Sequence, residues 1–128
     1  MIGTEPKRML CPVGKNSVDT LVSWIRNEVE LSIWSGNTFR KGFSSKRMQD
    51  HLKRSDLRSF AQLDNKGNLL CYADIVRGKE STGILCRVIV HPKRRRQGLG
   101  KAFCKDLLTW AKEEGGYQKI HLNTFGRN

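Results

Sequence analysis

Apolar positions along the chain change their period twice, and those changes mark out its elements. From Ser17, the residues Val18, Leu21, Val22, Ile25 and Val29 recur at helical spacing, with Ser17 as N-cap and Asp19 in the first turn. The spacing predicts one helix that "WSGNTF", residues 34–39, breaks. Ser44 or Ser45 caps a second, "KRMQDHLKR", with Met48 and Leu52 on its inner side. The period then shortens. "RSFAQLD" and "LLCYADIV" flank the turn cluster "NKGN" and read as a β-hairpin. "ILCRVIV" follows as a β-branched run that stops at His91-Pro92. Beyond it, Leu99, Ala102, Phe103, Leu107, Trp110 and Ala111 form one helical stripe, which Gly115-Gly116 ends. "KIHLNTF" reads as a last strand and "KRMLCPVG" as a short first one. The expected order is β-α-α-β-β-β-α-β, an α/β fold whose mixed, largely antiparallel sheet is flanked by helices. At 128 residues it is expected to form a single domain over 1–128.

Charge narrows the partners. A formal net charge of +12 and a pI near 10.0 call for an anionic partner: nucleic acid, a membrane surface or a multiply phosphorylated small molecule. Part of the excess is scattered through "FRKGFSSKRMQDHLKRSDLR", which reads as a solvated helical face, and part is concentrated in "PKRRR". Aromatic residues are few and do not interleave with the cations as a base-stacking surface would, so nucleic acid is disfavoured. No apolar stretch approaches the roughly 20 residues needed to cross a bilayer, and the N-terminus has no apolar signal core. The expected location is therefore cytoplasmic, with no membrane partner. Cys11, Cys71, Cys86 and Cys104 form no CxxC pair and no metal-ligand pattern with His51, His91 and His121. They read as reduced thiols, three of them among apolar residues, and no metal is expected.

"HPKRRRQGLGKAF", residues 91–103, lies between a predicted strand and a predicted helix. The first N–H groups of a helix have no intrahelical partners, and the helix dipole adds positive charge there. Gly98 and Gly100 let an anion approach the backbone, and neighbouring arginines can add charge-assisted hydrogen bonds. The combination predicts a pyrophosphate cradle. Neither a P-loop nor a dinucleotide-binding fingerprint fits, because the required glycine spacing is missing.

The stretch "RVIVHPKRRRQGLGKAF" resembles motif A of the GNAT superfamily of acyl-CoA-dependent N-acyltransferases: a strand ending in V-x-P, then [QR]-x-x-G-x-[GA], then a helix. Arg95, Gly98 and Gly100 fall on the pattern positions, and the surrounding elements follow the family's order. "WSGNTF" also looks like a loop that borders the acceptor pocket in one bacterial branch. The resemblance implies acetyl-CoA as co-substrate and transfer of its acetyl group to an amine, on a small molecule or a protein, by direct attack on the thioester. It implies that Val88, Ile89 and Val90 present backbone groups to the pantetheine arm. Arg95, Arg96, Gln97, Gly98, Leu99, Gly100 and Lys101 would hold the pyrophosphate, and Asn128 would touch the cofactor. Val90 N–H is the candidate oxyanion donor by family position.

The reaction needs a neutral amine, an oxyanion donor and a proton source for the thiolate. Asp74 and His121 are the titratable residues near the inferred cleft and the two candidates for base. Family members continue past that asparagine with a helix, often carrying a tyrosine acid, and two strands, whereas this sequence stops at Asn128. The expectation is a missing general acid and an uncovered last strand, whose edge would pair two copies into a homodimer. A catalytically silent CoA-binding remnant and a basic nucleic-acid-binding module are the alternatives.

Overall fold

The computed structural model of the chain describes residues 10–122. Its elements run β1 (Leu10–Cys11), α1 (Lys15–Trp24), α2 (Glu28–Ser35), α3 (Ser45–Leu52), β2 (Leu57–Leu63), β3 (Leu69–Arg77), β4 (Thr82–Val90), a 3-10 turn (Pro92–Arg94), α4 (Leu99–Glu113) and β5 (Lys119–Leu122). The strands form one sheet in the order β1-β2-β3-β4-β5. The first three pairings are antiparallel and β4–β5 is parallel, with α4 as the crossover that a parallel pair requires. The mixed, largely antiparallel sheet with flanking helices is the one the sequence predicts.

The first predicted helix departs from expectation in its extent and its cap. The single helix predicted from Ser17 to Val29 is two, and the break falls at Ile25–Asn27. Asn27 caps α2 by accepting from Glu30 N–H at 2.9 Å, while the Glu30 carboxylate accepts from Arg26 N–H at 2.9 Å and from the Arg26 guanidinium. This reciprocal pairing is close to a capping box, and it starts a new helix inside what reads as a continuous apolar stripe. Val29, counted in that stripe, is 68% exposed. The α1 cap also differs: Gly14 is the N-cap without a side-chain bond, and Ser17 lies buried inside the helix. In α3, Ser44 is the cap, accepting from Arg47 N–H at 3.2 Å.

The sheet is covered on both faces. On one, α1, α2 and α3 pack Val18, Leu21, Trp34 and Met48 against Ala61, Leu69, Tyr72 and Ile89. On the other, α4 buries Phe103, Leu107 and Ala111 against Cys71, Ala73, Ile75 and Leu85. Phe103 and Leu107 are fully buried, each worth about 1.5–3 kcal/mol by apolar transfer. Trp110 flanks this core edge-on to Phe60, with ring centroids 4.8 Å apart. This double packing fixes where β4 ends and α4 begins, and the candidate site grows from that junction.

Candidate functional site

β4 is irregular where it matters. Tyr72 pairs with Ile89 and Asp74 with Cys86, so Ala73 faces both Arg87 and Val88. Arg87 has φ +52, a left-handed value that an arginine rarely adopts. The extra residue is a β-bulge, which bends the strand and re-aims its side chains. Beyond the bulge, His91 N–H donates to Leu70 O at 2.8 Å and therefore points toward β3. Backbone alternation then turns Val90 N–H the other way, toward the side where β5 lies. Among the described residues, β5 pairs only with Thr82–Leu85, so Val88, Ile89 and Val90 extend past that pairing.

The segment after Val90 is held in an open turn. His91 Nδ1 accepts from Lys93 N–H at 3.1 Å, and Arg94 N–H returns to His91 O at 2.9 Å. Arg95 Nε donates to Val90 O at 3.1 Å, which ties the turn to the strand end. Arg96 (φ +63) and Gly98 (φ +81) then reverse the chain before α4. The first hydrogen bond of α4 is Ala102 N–H to Gly98 O at 3.1 Å. The backbone N–H groups of Gly98 through Lys101 have no acceptor among the described residues. Successive N–H groups in such a turn form an anion-binding concavity, and the α4 dipole adds to it. Lys93, Arg94, Arg96 and Lys101, in and beside this segment of the chain, are all exposed. Gly100 has a second reason to be glycine: an added Cβ would lie 3.0 Å from Val90 Cγ2, at the contact between α4 and β4.

Beneath the bulge lies a buried polar cluster that sequence reasoning missed. Asp74 is wholly inaccessible. Its Oδ2 accepts from His51 Nε2 at 2.8 Å and Arg87 Nε at 2.5 Å, and its Oδ1 from Ser59 Oγ and Tyr72 OH, each at 2.5 Å. Burial pushes the Asp74 carboxyl up, but the His51 hydrogen bond and the Arg87 charge outweigh it and the net shift is downward. An ionised Asp74 only accepts, so Nε2 of His51 carries its proton. Burial, then the neighbouring Asp74, pushes the Tyr72 phenol up, so it stays a donor. Trp34 Nε1 donates to Arg87 O at 2.8 Å, and Arg87 Nη1 reaches Thr38 Oγ1 at 3.2 Å. Helix α2, the loop after it, α3, β2 and β3 all converge on the one strained residue of β4.

The two base candidates are not brought together. Asp74 has both oxygens engaged and no exposed surface, so it positions Arg87 and His51 and is not free to take a proton from an acceptor. His121 is exposed on β5, in register with Ile84, before the bulge and away from Val88–Val90. Asn128, and the end of the predicted last strand from Asn123, lie outside the described residues. Cys71 and Cys86 are buried, and burial pushes the Cys71 thiol up to about 12 and raises that of Cys86, which leaves neither as a nucleophile. Among the described residues no group of three His, Cys, Asp or Glu could hold a metal, and no helix is long and apolar enough to cross a membrane. One sequence signal did point to the missed cluster: Arg87 is a lone cation inside the apolar run "ILCRVIV".

Comparisons with known proteins bear on the family and the fold. The sequence matches the acetyltransferase (GNAT) family over residues 13–128. A spermidine N-acetyltransferase from Vibrio cholerae, solved with CoA and spermine, superposes with a TM-score of 0.72 at 15% identity, covering 89% of this chain and 69% of that one. An acetyltransferase from Trypanosoma brucei gives 0.63 at 18% identity, over 92% of this chain and 83% of its own. A ribosomal-protein-alanine N-acetyltransferase from Brucella melitensis gives 0.64 at 18%, over 92% and 79%. At these identities the likeness is one of fold.

Proposed function

We propose that this chain, which belongs to the GNAT acetyltransferase family, moves an acetyl group from acetyl-CoA to an amine by direct attack on the thioester. The observation that carries the reading is the run of unengaged N–H groups from Gly98 to Lys101, at the start of α4 and beside the exposed cations Lys93, Arg94, Arg96 and Lys101 in the chain. A diphosphate is the ligand such a cradle fits. Acetyl-CoA, when bound, supplies an electrophilic carbonyl and a thiolate leaving group. Val88, Ile89 and Val90 offer strand backbone to the pantetheine arm, past the end of the described β4–β5 pairing. Val90 N–H, turned away from β3, holds the charge that develops on the thioester oxygen. The bulge fixes that donor's direction, and the Asp74–Arg87 pair with Trp34 holds the bulge. With Asp74 engaged on both oxygens and His121 placed away from Val88–Val90, the amine proton passes to water.

The whole of 1–128 is read as one catalytic domain, with the acceptor an amine on a small molecule or protein. Self-association through β5, where His121 and Leu122 are open to solvent, belongs to the same proposal, and a monomer in sedimentation at high micromolar concentration would remove it. Transfer itself is tested by thiol release from acetyl-CoA against a panel of amines. Amine-dependent release, with the acetylated amine found by mass spectrometry, is expected. CoA binding without transfer to any amine would leave the chain a silent CoA-binding protein.

A further inference from the structure

The loop between α2 and α3, together with α3, lines an open surface cavity of about 390 Å³ that is rich in cations. Arg40, Lys41, Arg47 and Arg54 stand on its wall, against the single carboxylate Asp50. Arg54 is already paired with Asp56 at 2.6 Å, and Asp50 with Lys46 at 3.8 Å. Arg40, Lys41 and Arg47 have no ion pair among the described residues. A net charge of +12 puts cations on many surfaces, but here three unpaired ones gather around a concavity.

A buried cation stands behind the same wall, in contact with Thr38. Arg87 is nine-tenths buried, with 10% of its side chain exposed. Its Nε is spent on Asp74 and its Nη1 on Thr38, a residue of the cavity wall, while its Nη2 is buried with no hydrogen-bond partner. Arg87 is not itself part of the lining, and its link to the cavity runs through Thr38. Arg87 is also the bulge residue of β4, next to Val88. The cationic wall is thus linked by one side chain to the strand proposed to receive the thioester.

We propose that this cavity is an oxyanion subsite that takes the carboxylate or phosphate of an acidic acceptor amine. Its use by an acceptor rests on the transferase reading; its capacity to bind an anion does not. The neighbouring cavity, about 370 Å³ between α1, α2 and the same loop, shares Asn37, Phe39, Arg40 and Gly42 with it and adds the apolar Val22, Ile25 and Leu31. That leaves room for the body of the acceptor beside its charged end. A polycation would meet like charge on this wall, which selects against it.

Amide spectra of the full chain, labelled with nitrogen-15, test the site without requiring turnover. Inorganic phosphate and acetate are titrated separately, each with and without saturating CoA, and spermidine is titrated as the cationic control. Saturable shifts at residues 38–42 and 47–54 that persist in the presence of CoA are expected, and the tighter of the two anions identifies the preferred group. Arg40→Ala with Arg47→Ala, both at exposed positions, should weaken that binding by about tenfold or more. Shifts confined to residues 95–101, shifts abolished by CoA, or equal shifts with spermidine would overturn the subsite. Absence of any CoA-induced change at residues 88–101 would instead remove the transferase reading and leave the anion result to be judged by itself.

Discussion

The turn from His91 to Lys101 and the cluster around Asp74 sit at two ends of one short strand segment, yet they are built in opposite ways. The turn is open and cationic: from Gly98 to Lys101 its N–H groups lack acceptors among the described residues, and residues 92–98 are exposed. The Asp74 cluster is closed, and nearly every donor in it has found an acceptor. One region leaves hydrogen-bonding capacity open, and the other spends it on holding β4. Changes in the two should therefore separate binding from stability.

The largest effect is expected at the closed end. Asp74→Ala leaves the buried Arg87 charge uncompensated and strips His51, Tyr72 and Ser59 of their shared acceptor. A loss of about 3–5 kcal/mol is expected in denaturant unfolding, the usual cost of breaking a buried ion pair. If the variant unfolds like the parent protein, the cluster does not hold the bulge.

A smaller change, of the opposite sign, is expected at the open end. Arg96 is held at φ +63, where a residue with a Cβ is strained and glycine is not. Arg96→Gly should raise stability by about 1 kcal/mol while weakening CoA, because the cation is lost with the strain. Unfolding and CoA titration of the same sample would show the two moving in opposite directions. A variant that loses both would mean that Arg96 packs structurally and has no special place in the cradle.

Acid sharpens the contrast further, with no effect expected at neutral pH. The folded Asp74 carboxyl sits below its ordinary value, so its contribution is fully present above the unfolded value of about 3.9. That contribution is lost as pH falls from there through the lower folded value. Asp74→Asn should show a shallower acid limb of stability than the parent protein, and identical limbs would place the acid sensitivity elsewhere.

The two regions also differ in how far they could be read from sequence. The cradle is made of consecutive residues, so strand end, cations, glycines and helix start appear in order along the chain, and its positions follow from that order. The cluster joins His51, Ser59, Tyr72, Asp74 and Arg87 from four elements, across separations of up to 36 residues between His51 and Arg87, and periodicity carries no record of such meetings. His51 reads as one more polar residue on a basic helix, yet it is buried. The split of the first helix was legible in principle, since Asn27 and Glu30 have capping-box spacing, but the apolar stripe through Val29 masked it. For Gly100, sequence supplied a phosphate argument, whereas the structure adds a packing one against Val90.

The central claim is that the turn before α4 binds the diphosphate of an acyl-CoA, and thermal unfolding in the presence of ligand tests it most directly. At about 100 times its dissociation constant, acetyl-CoA should stabilise the protein by about 2.7 kcal/mol, and pantetheine, which lacks the diphosphate, by far less. Gly98→Val, at φ +81 with open space around it, should weaken CoA at least about tenfold, close to 1.4 kcal/mol, by straining the turn that forms the cradle. Equal stabilisation by pantetheine and acetyl-CoA, or no shift with millimolar CoA, would contradict the account.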